Sequence, residues 1–466
     1  MISRRRFLQS TLTAALVPLL PRVSFGTTLK VRQDWGTFRT TPMFQVYLNA
    51  VSRMKANTNS ADPSSWAYWV NVHKNFCPHS VAYFLAWHRG FLFRFEAQLR
   101  KAAANTALTI PYWDYYTTPQ MPMEFTDPTS PLYIANRAGT DVTNALSLNP
   151  FADTVINFQR GLTDAFEPTL ESLPHNPVHN LIGGAMGSVT ISPRDPIFWV
   201  HHGNIDRLWT AWCHAGNGRT MPPRTDPYWS GSFNYGPAVA TMARTWAISE
   251  TGLGYQYDNE IMPTTLPPPP PPAQPAAVTL QALSSPVPGA LAMSLGGGQD
   301  LALNERSVSI VVPLTQADRN QVRSLLLKQA ARKVQAQADN SLRIVLTGVR
   351  LTGLGKQAGY FYKIYINLPA QPGVSQPETT YLLGTLGAFE ITGKLNHLAM
   401  KGMAMSTASD GVQLVYPATD ALAQIAPANL DKLIISFIRV NGSKPVKKGT
   451  VITVKEFRVE TSGTAS

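Results

Sequence analysis

Eight of the chain's nine histidines fall between His73 and His214, and most sit at spacings that would turn them toward one interior. Written on a helix, Phe84 to Arg100 places His88, Phe91, Leu92, Phe95 and Leu99 on one apolar stripe, so His88 faces a core. Trp66, Trp69, Val70 and His73 form a second stripe upstream. His175 and His179, four residues apart, share one face of a third helix that Gly183-Gly184 ends. Asp195-Pro196 opens a fourth, on which His202, Ile205, Trp209 and Trp212 align. A lone histidine on such a stripe is ordinarily a packed core residue. Four helices that each turn one inward predict a bundle with a metal centre inside. His201 and His214 fall off the stripes and are read as structural.

The residues missing from this set narrow the metal. A di-iron bundle needs bridging carboxylates in Glu-x-x-His pairs, and none stands at that spacing. Zinc hydrolases commonly mix in a carboxylate or thiolate. Imidazole alone suits zinc, copper, iron or nickel, and three neutral nitrogens per ion with an open position rank copper first.

Six consecutive prolines, Pro267 to Pro272, divide the 466 residues. Such a run favours an extended spacer that joins no core. The expected organisation is a signal segment at 1–26, a catalytic domain at 27–262, a proline-rich linker at 263–277 and a β-rich domain at 278–466. In the last part, Ser307 to Leu314, Ser341 to Leu351, Gly359 to Leu368, Lys432 to Val440 and Thr450 to Val459 carry β-branched and aromatic runs, with one helical stretch at Gln316 to Ala338. The fold class read here is therefore a mainly α four-helix bundle followed by a β-sandwich or β-rich domain.

Ser3-Arg4-Arg5-Arg6-Phe7-Leu8, a short apolar stretch and small residues at Ser24 and Gly26 resemble a twin-arginine export signal. The expected location is periplasmic or secreted, with the twin-arginine machinery as a partner. No apolar run reaches the roughly 20 residues of a membrane span. The net charge of +12 comes without the interleaved basic and aromatic clusters of a nucleic-acid surface. Two cysteines, Cys77 and Cys213, make no disulfide framework, although an oxidising compartment would permit a bond between them.

His79-Ser80-Val81-Ala82-Tyr83-Phe84-Leu85-Ala86-Trp87-His88-Arg89, continuing to Glu96, resembles the first copper signature of tyrosinases, catechol oxidases and mollusc haemocyanins. Asp195-Pro196-Ile197-Phe198-Trp199-Val200-His201-His202, continuing to Asp206, resembles the second. Pro111-Tyr112-Trp113-Asp114 and Tyr255-Gln256-Tyr257 are similar to further elements of that family. The resemblance implies two copper ions, one on His73, His79 and His88 and the other on His175, His179 and His202, with dioxygen as co-substrate. It also implies a covalent bond between Cys77 and His79; a free buried thiol and a disulfide to Cys213 are the rival readings.

Members of this family hydroxylate monophenols, oxidise ortho-diphenols to quinones, or carry oxygen. The resemblance points to a small phenol as substrate. Glu171 and Asn176 stand where relatives hold a basic water, which implies hydroxylation followed by diphenol oxidation. The alternatives are a catechol oxidase acting on diphenols only and a haemocyanin-like carrier. Val189, Phe198 and Asn180 are expected in the substrate pocket. Phe361 to Asn367 is similar to the carboxy-terminal domain of plant polyphenol oxidases, which covers the site. That likeness implies a plug within Thr385 to Phe389, with Leu386 and Phe389 as candidates, and an activating protease as a second partner.

Overall fold

The apolar stripes read from the sequence become the walls of a helical half whose interior is filled by rings. Trp66–Phe76, Phe84–Ala103, Asn176–Ile182 and Ile197–His214 are helices, joined by Met43–Ala56, which packs across the first two. The computed structural model describes residues 28–268, 278–282, 294–330, 341–369, 378–402, 411–427, 429–446 and 448–462. The proposed signal segment and residues 269–277 of the linker lie outside the described residues.

Local chemistry sets the ends of these helices. Ser65 caps Trp66–Phe76 by accepting from the Ala67 amide at 3.1 Å. Asp195 accepts from the Ile197 amide at 3.1 Å, so the Asp-Pro pair opens the last helix as its chemistry predicts. At the far end of Asn176–Ile182, Gly183 has φ of 62°, a left-handed value that favours glycine. Phe95 and Trp199 stack with centroids 3.4 Å apart, locking the helices of the two signatures together.

A short parallel pair, Lys30–Arg32 with Tyr255–Tyr257, clasps the start of the helical half to its end. It delivers the fully buried Arg32 guanidinium to Glu96 at 2.9 Å and Asp206 at 3.3 Å.

The second half is a sandwich of two sheets. One has the strand order Leu382–Gly387, Tyr360–Ile366, Lys432–Asn441, Ser307–Pro313 and Val278–Ala282. The other runs Val412–Pro417, Ser341–Leu351, Ile452–Ser462 and Ser294–Leu303. All neighbours are antiparallel except the last pair of the first sheet. Strands Val278–Ala282, Leu382–Gly387, Val412–Pro417 and Ser294–Leu303 go beyond those read from the sequence, as do the helices Ala388–Met400 and Thr419–Ile425. The expected Gln316–Ala338 helix spans Gln316–Ala330 among the described residues.

The halves meet through apolar and polar contacts. Phe361, on the first sheet, belongs to the core of the helical half. The Gly359 amide donates to Asn180 O at 2.8 Å, and the Asn396 amide group to Lys74 O at 2.9 Å. Among the described residues no helix is long and apolar enough to cross a membrane.

Candidate metal centre

Two buried clusters of donor atoms lie between the helices. His73, Cys77, His79 and His88 form one and His175, His179, His201 and His202 the other, the donor atoms within each lying within 4.8 Å of one another. The clusters adjoin: the His88 and His202 rings stack at 4.3 Å and those of His79 and His175 at 5.7 Å.

Several rings are oriented through one nitrogen, which leaves the other facing inward. Nδ1 of His73 meets Val189 O at 2.9 Å, Nδ1 of His88 meets Phe84 O at 2.8 Å and Nδ1 of His179 meets Met186 O at 2.9 Å. The Asn176 side-chain oxygen holds Nδ1 of His175 at 2.8 Å, and Nε2 of that ring is buried without a partner. Burial, joined by the other imidazoles, lowers the pKa of His73, His88, His175, His179 and His202 well below the ordinary value. The rings are therefore neutral, the form a metal requires.

His201 departs from its reading as structural. It stacks on His175 at 5.3 Å, and both its ring nitrogens are buried without a hydrogen-bond partner. Neighbours on a helix point about 100° apart, and the convergence of the His175 helix brings both His201 and His202 to the cluster. Burial lowers the His201 pKa to about 3. His214 lies at the helix end, half-exposed, 2.9 Å from Glu260.

Cys77 and Cys213 are both free thiols. Cys77 Sγ lies 3.3 Å from Nε2 of His88. Burial, with the Glu171 charge adding to it, pushes the Cys77 thiol pKa up.

Glu171 is buried, accepts from the Ser80 amide at 2.7 Å, lies 3.5 Å from His79 Nδ1 and pairs with Arg160. Burial alone would raise its pKa, but Arg160 and His79 outweigh it and hold the carboxylate below its usual range. Glu171 and Asn176 line one cavity of about 830 Å3 that opens between the two halves.

Glu167, one turn earlier, went unnoticed in the sequence, although its i, i+4 relation to Glu171 was a signal. It is buried, accepts from Tyr228 OH at 3.1 Å, and burial raises its pKa to about 7. A carboxyl raised on folding contributes stability that is complete at acid pH and lost as pH climbs through the folded value. Glu167→Gln is expected to flatten the fall in unfolding free energy between about pH 5 and 7 seen in the parent. Urea titrations across that window would measure it, and parallel pH profiles would refute the assignment.

The residues expected around the substrate are all buried. Phe198 lies 4.1 Å from the His202 ring and 5.1 Å from that of His73, spanning the two clusters. Val189, besides anchoring His73, receives the helix Ala388–Met400: a side-chain carbon on Gly393 would stand 3.3 Å from it. Phe389, on that helix, stacks on His179 at 3.9 Å and 15° and meets His79 edge-on at 5.2 Å. Asn180 holds it there, accepting from the Phe389 amide at 2.9 Å and donating to Glu390 at 2.8 Å. Leu386 is placed elsewhere. It precedes the helix on a strand and packs in the core of the sandwich, so Phe389 alone of the two candidates reaches the histidines.

The family model for the common central domain of tyrosinase matches residues 63–158 and 126–215, the stretch that supplies both clusters. This stretch carries the central domain of the tyrosinase and polyphenol oxidase family. Tyrosinase HcTyr1 of a Hahella strain is 34% identical over 243 residues, covering 38% of this chain and 52% of that protein. A chloroplastic polyphenol oxidase of Malus domestica is 24% identical over 391 residues, 70% of this chain and 64% of the relative. The chain thus spans about half to two thirds of the length of these relatives. Latent apple tyrosinase has the same fold over 94% of this chain and 98% of its own, with a TM-score of 0.55 at 19% identity. A latent aurone synthase aligns over 93% and 90% with a TM-score of 0.53 at 15% identity. The cofactor of the tyrosinase family is a pair of copper ions. Two adjoining sets of buried imidazoles, each with orphaned ring nitrogens, suit that pair.

Proposed function

We propose that this protein hydroxylates small monophenols at the ortho position and oxidises the resulting diphenols to quinones with dioxygen. In this reading His73, His79 and His88 hold one copper and His175, His179 and His202 the other. When bound, the pair supplies the site for dioxygen and accepts electrons from the phenol. The protein supplies orientation and proton movement. The ring lies against Phe198 in the space beside Val189, and its hydroxyl proton passes to a water held by Glu171 and Asn176. Arg160 keeps Glu171 ionised, as a base requires. The reading is carried by the approach of Glu171 and Asn176 to a shared cavity beside the first-signature histidines.

The same reading makes the chain latent. Phe389 fills the face of His179 that a phenol would use, and the sandwich must be displaced or cut away in the proline-rich segment, with a protease as its agent. We infer from the likeness of residues 1–26 to a twin-arginine signal that this event takes place in the periplasm or outside the cell.

The decisive experiment loads the mature chain with copper and follows oxygen uptake with a monophenol and with a diphenol, before and after cleavage between residues 263 and 277. Both substrates should turn over after cleavage. Diphenol turnover alone would reduce the protein to a catechol oxidase, and reversible oxygen binding without turnover would make it a carrier. Reduction and peptide mapping of the copper-loaded chain should recover Cys77 and His79 as one cross-linked species two hydrogens lighter than the pair. An alkylatable Cys77 would rule the thioether out.

A further inference from the structure

A second cavity, of about 490 Å3, opens at the seam between the halves and shares no lining residue with the Glu171 channel. The helical half contributes Asn136, Arg137, Ala138 and Gly184, and the sandwich contributes the rest. Its cations are Arg137, Arg439 and Lys444, and among the described residues no Asp or Glu lines it. Arg137 is already neutralised, with both Asp195 oxygens at 2.7 and 2.8 Å.

The other two cations are not. Arg439 is 8% exposed and stacks 3.9 Å over the Tyr360 ring. Its Nε donates to Asn441 at 2.8 Å, and its Nη1 to Tyr362 OH at 2.8 Å and Asn304 O at 3.1 Å. Among the described residues Nη2 has no acceptor and the guanidinium no carboxylate. Among the described residues Lys444 Nζ meets only Arg137 O, at 2.5 Å. A guanidinium fixed by stacking and by its other nitrogens presents its remaining edge without further ordering, and such edges match the oxygens of a phosphate. Leu354 and Val446 add apolar wall, which gives the cavity room for more than the anion.

We propose that this seam cavity binds a phosphate-bearing anion, its head on Arg439 and Lys444 and any organic body against Leu354 and Val446. Two cations without an acid balance a dianion. The site has a consequence for the cover, which rests on the latent reading above. Gly184 lies two residues past the end of the His179 helix, and Gly359, also lining the cavity, donates to Asn180 O. An anion touching both halves here holds the sandwich in its seated position.

The test titrates the copper-loaded full chain with inorganic phosphate and with phenyl phosphate at fixed ionic strength in a calorimeter. Saturable binding is expected, weakened about tenfold or more by Arg439→Gln and several-fold by Lys444→Gln. Lys444 is exposed, so its variant retains the fold even if the Arg439 variant does not. Tighter binding of phenyl phosphate assigns an organic ester, and equal binding assigns free phosphate. No saturable heat with either probe, or equal binding by parent and Lys444→Gln, overturns the site. Hydrogen exchange at the Gly359 amide should slow when phosphate is bound. Binding without slowing leaves the site standing and removes its link to the cover, and neither result depends on phenol turnover.

Discussion

Phe389→Ala is expected to raise diphenol turnover of the uncleaved, copper-loaded chain by at least about tenfold. The ring stacked on His179 contributes its burial, ~1.5–3 kcal/mol, and an aromatic contact of ~0.5–1.5 kcal/mol to the seated state. Losing about 2 kcal/mol shifts the ratio of closed to open forms about thirtyfold, since each 1.4 kcal/mol is a factor of ten. Truncation also clears the face of the histidine itself. Oxygen uptake with catechol measures both effects together, and Asn396→Ala separates them. That amide donates to the backbone carbonyl of Lys74, without covering a histidine ring as Phe389 does, so its loss loosens the cover without unstacking a ring. A smaller rise with Asn396→Ala is expected. Unchanged turnover in Phe389→Ala would remove Phe389 as the barrier.

Why Phe389 was only half legible is a matter of local physics. The window Thr385 to Phe389 crosses from a strand, where side chains alternate, into a helix, where they do not. Periodicity therefore has no single value there. The helix Ala388–Met400 carries Thr392 and Gly393, poor formers in isolation, and it forms because its apolar side packs against the sandwich. Gly393 is there for closeness. A side-chain carbon would crowd Val189 at 3.3 Å, and one on Gly387 would stand 2.5 Å from the Asn180 amide. That need belongs to the surface beneath the helix, which the helix's own sequence cannot show. The catalytic half was far more readable because its histidines lie on long apolar stripes with definite caps. His201 escaped the same rule: a stripe selects one of two adjacent residues, while a cluster drawing on two helices has room for both. Most of the long strands were visible as β-branched runs. Ser294–Leu303 was not, since its Gly296-Gly297-Gly298 run has no side chains to alternate.

Asp206→Asn is expected to cost about 3–5 kcal/mol of stability, because it removes the charge shared by two buried guanidinium groups. Asp206 lies one turn beyond His202. It accepts from Arg89 at 2.6 Å through one oxygen, and from Tyr255 at 2.6 Å, Tyr257 at 2.5 Å and Arg32 at 3.3 Å through the other. Arg89 directly follows His88, and Arg32 and both tyrosines belong to the parallel clasp. One carboxylate thus joins the helices of both histidine clusters to the strands that close the helical half. Burial would raise its pKa, but Arg89 and Arg32 more than offset that and hold it below the usual carboxylate range. A depressed carboxylate gives stability that is present above its unfolded value, near 3.9, and lost as pH falls through its folded one. Asp206→Asn should therefore be less stable than the parent near neutral pH, with the difference shrinking below about pH 4. Denaturant midpoints at neutral and acid pH, read on the copper-free chain so that metal binding does not contribute, measure both. A difference below about 1 kcal/mol at neutral pH would mean that Glu96 and Glu250, the other acids near Arg32 and Arg89, suffice without it. The clasp would then be packing around the tyrosine rings, with no dependence on the buried charge.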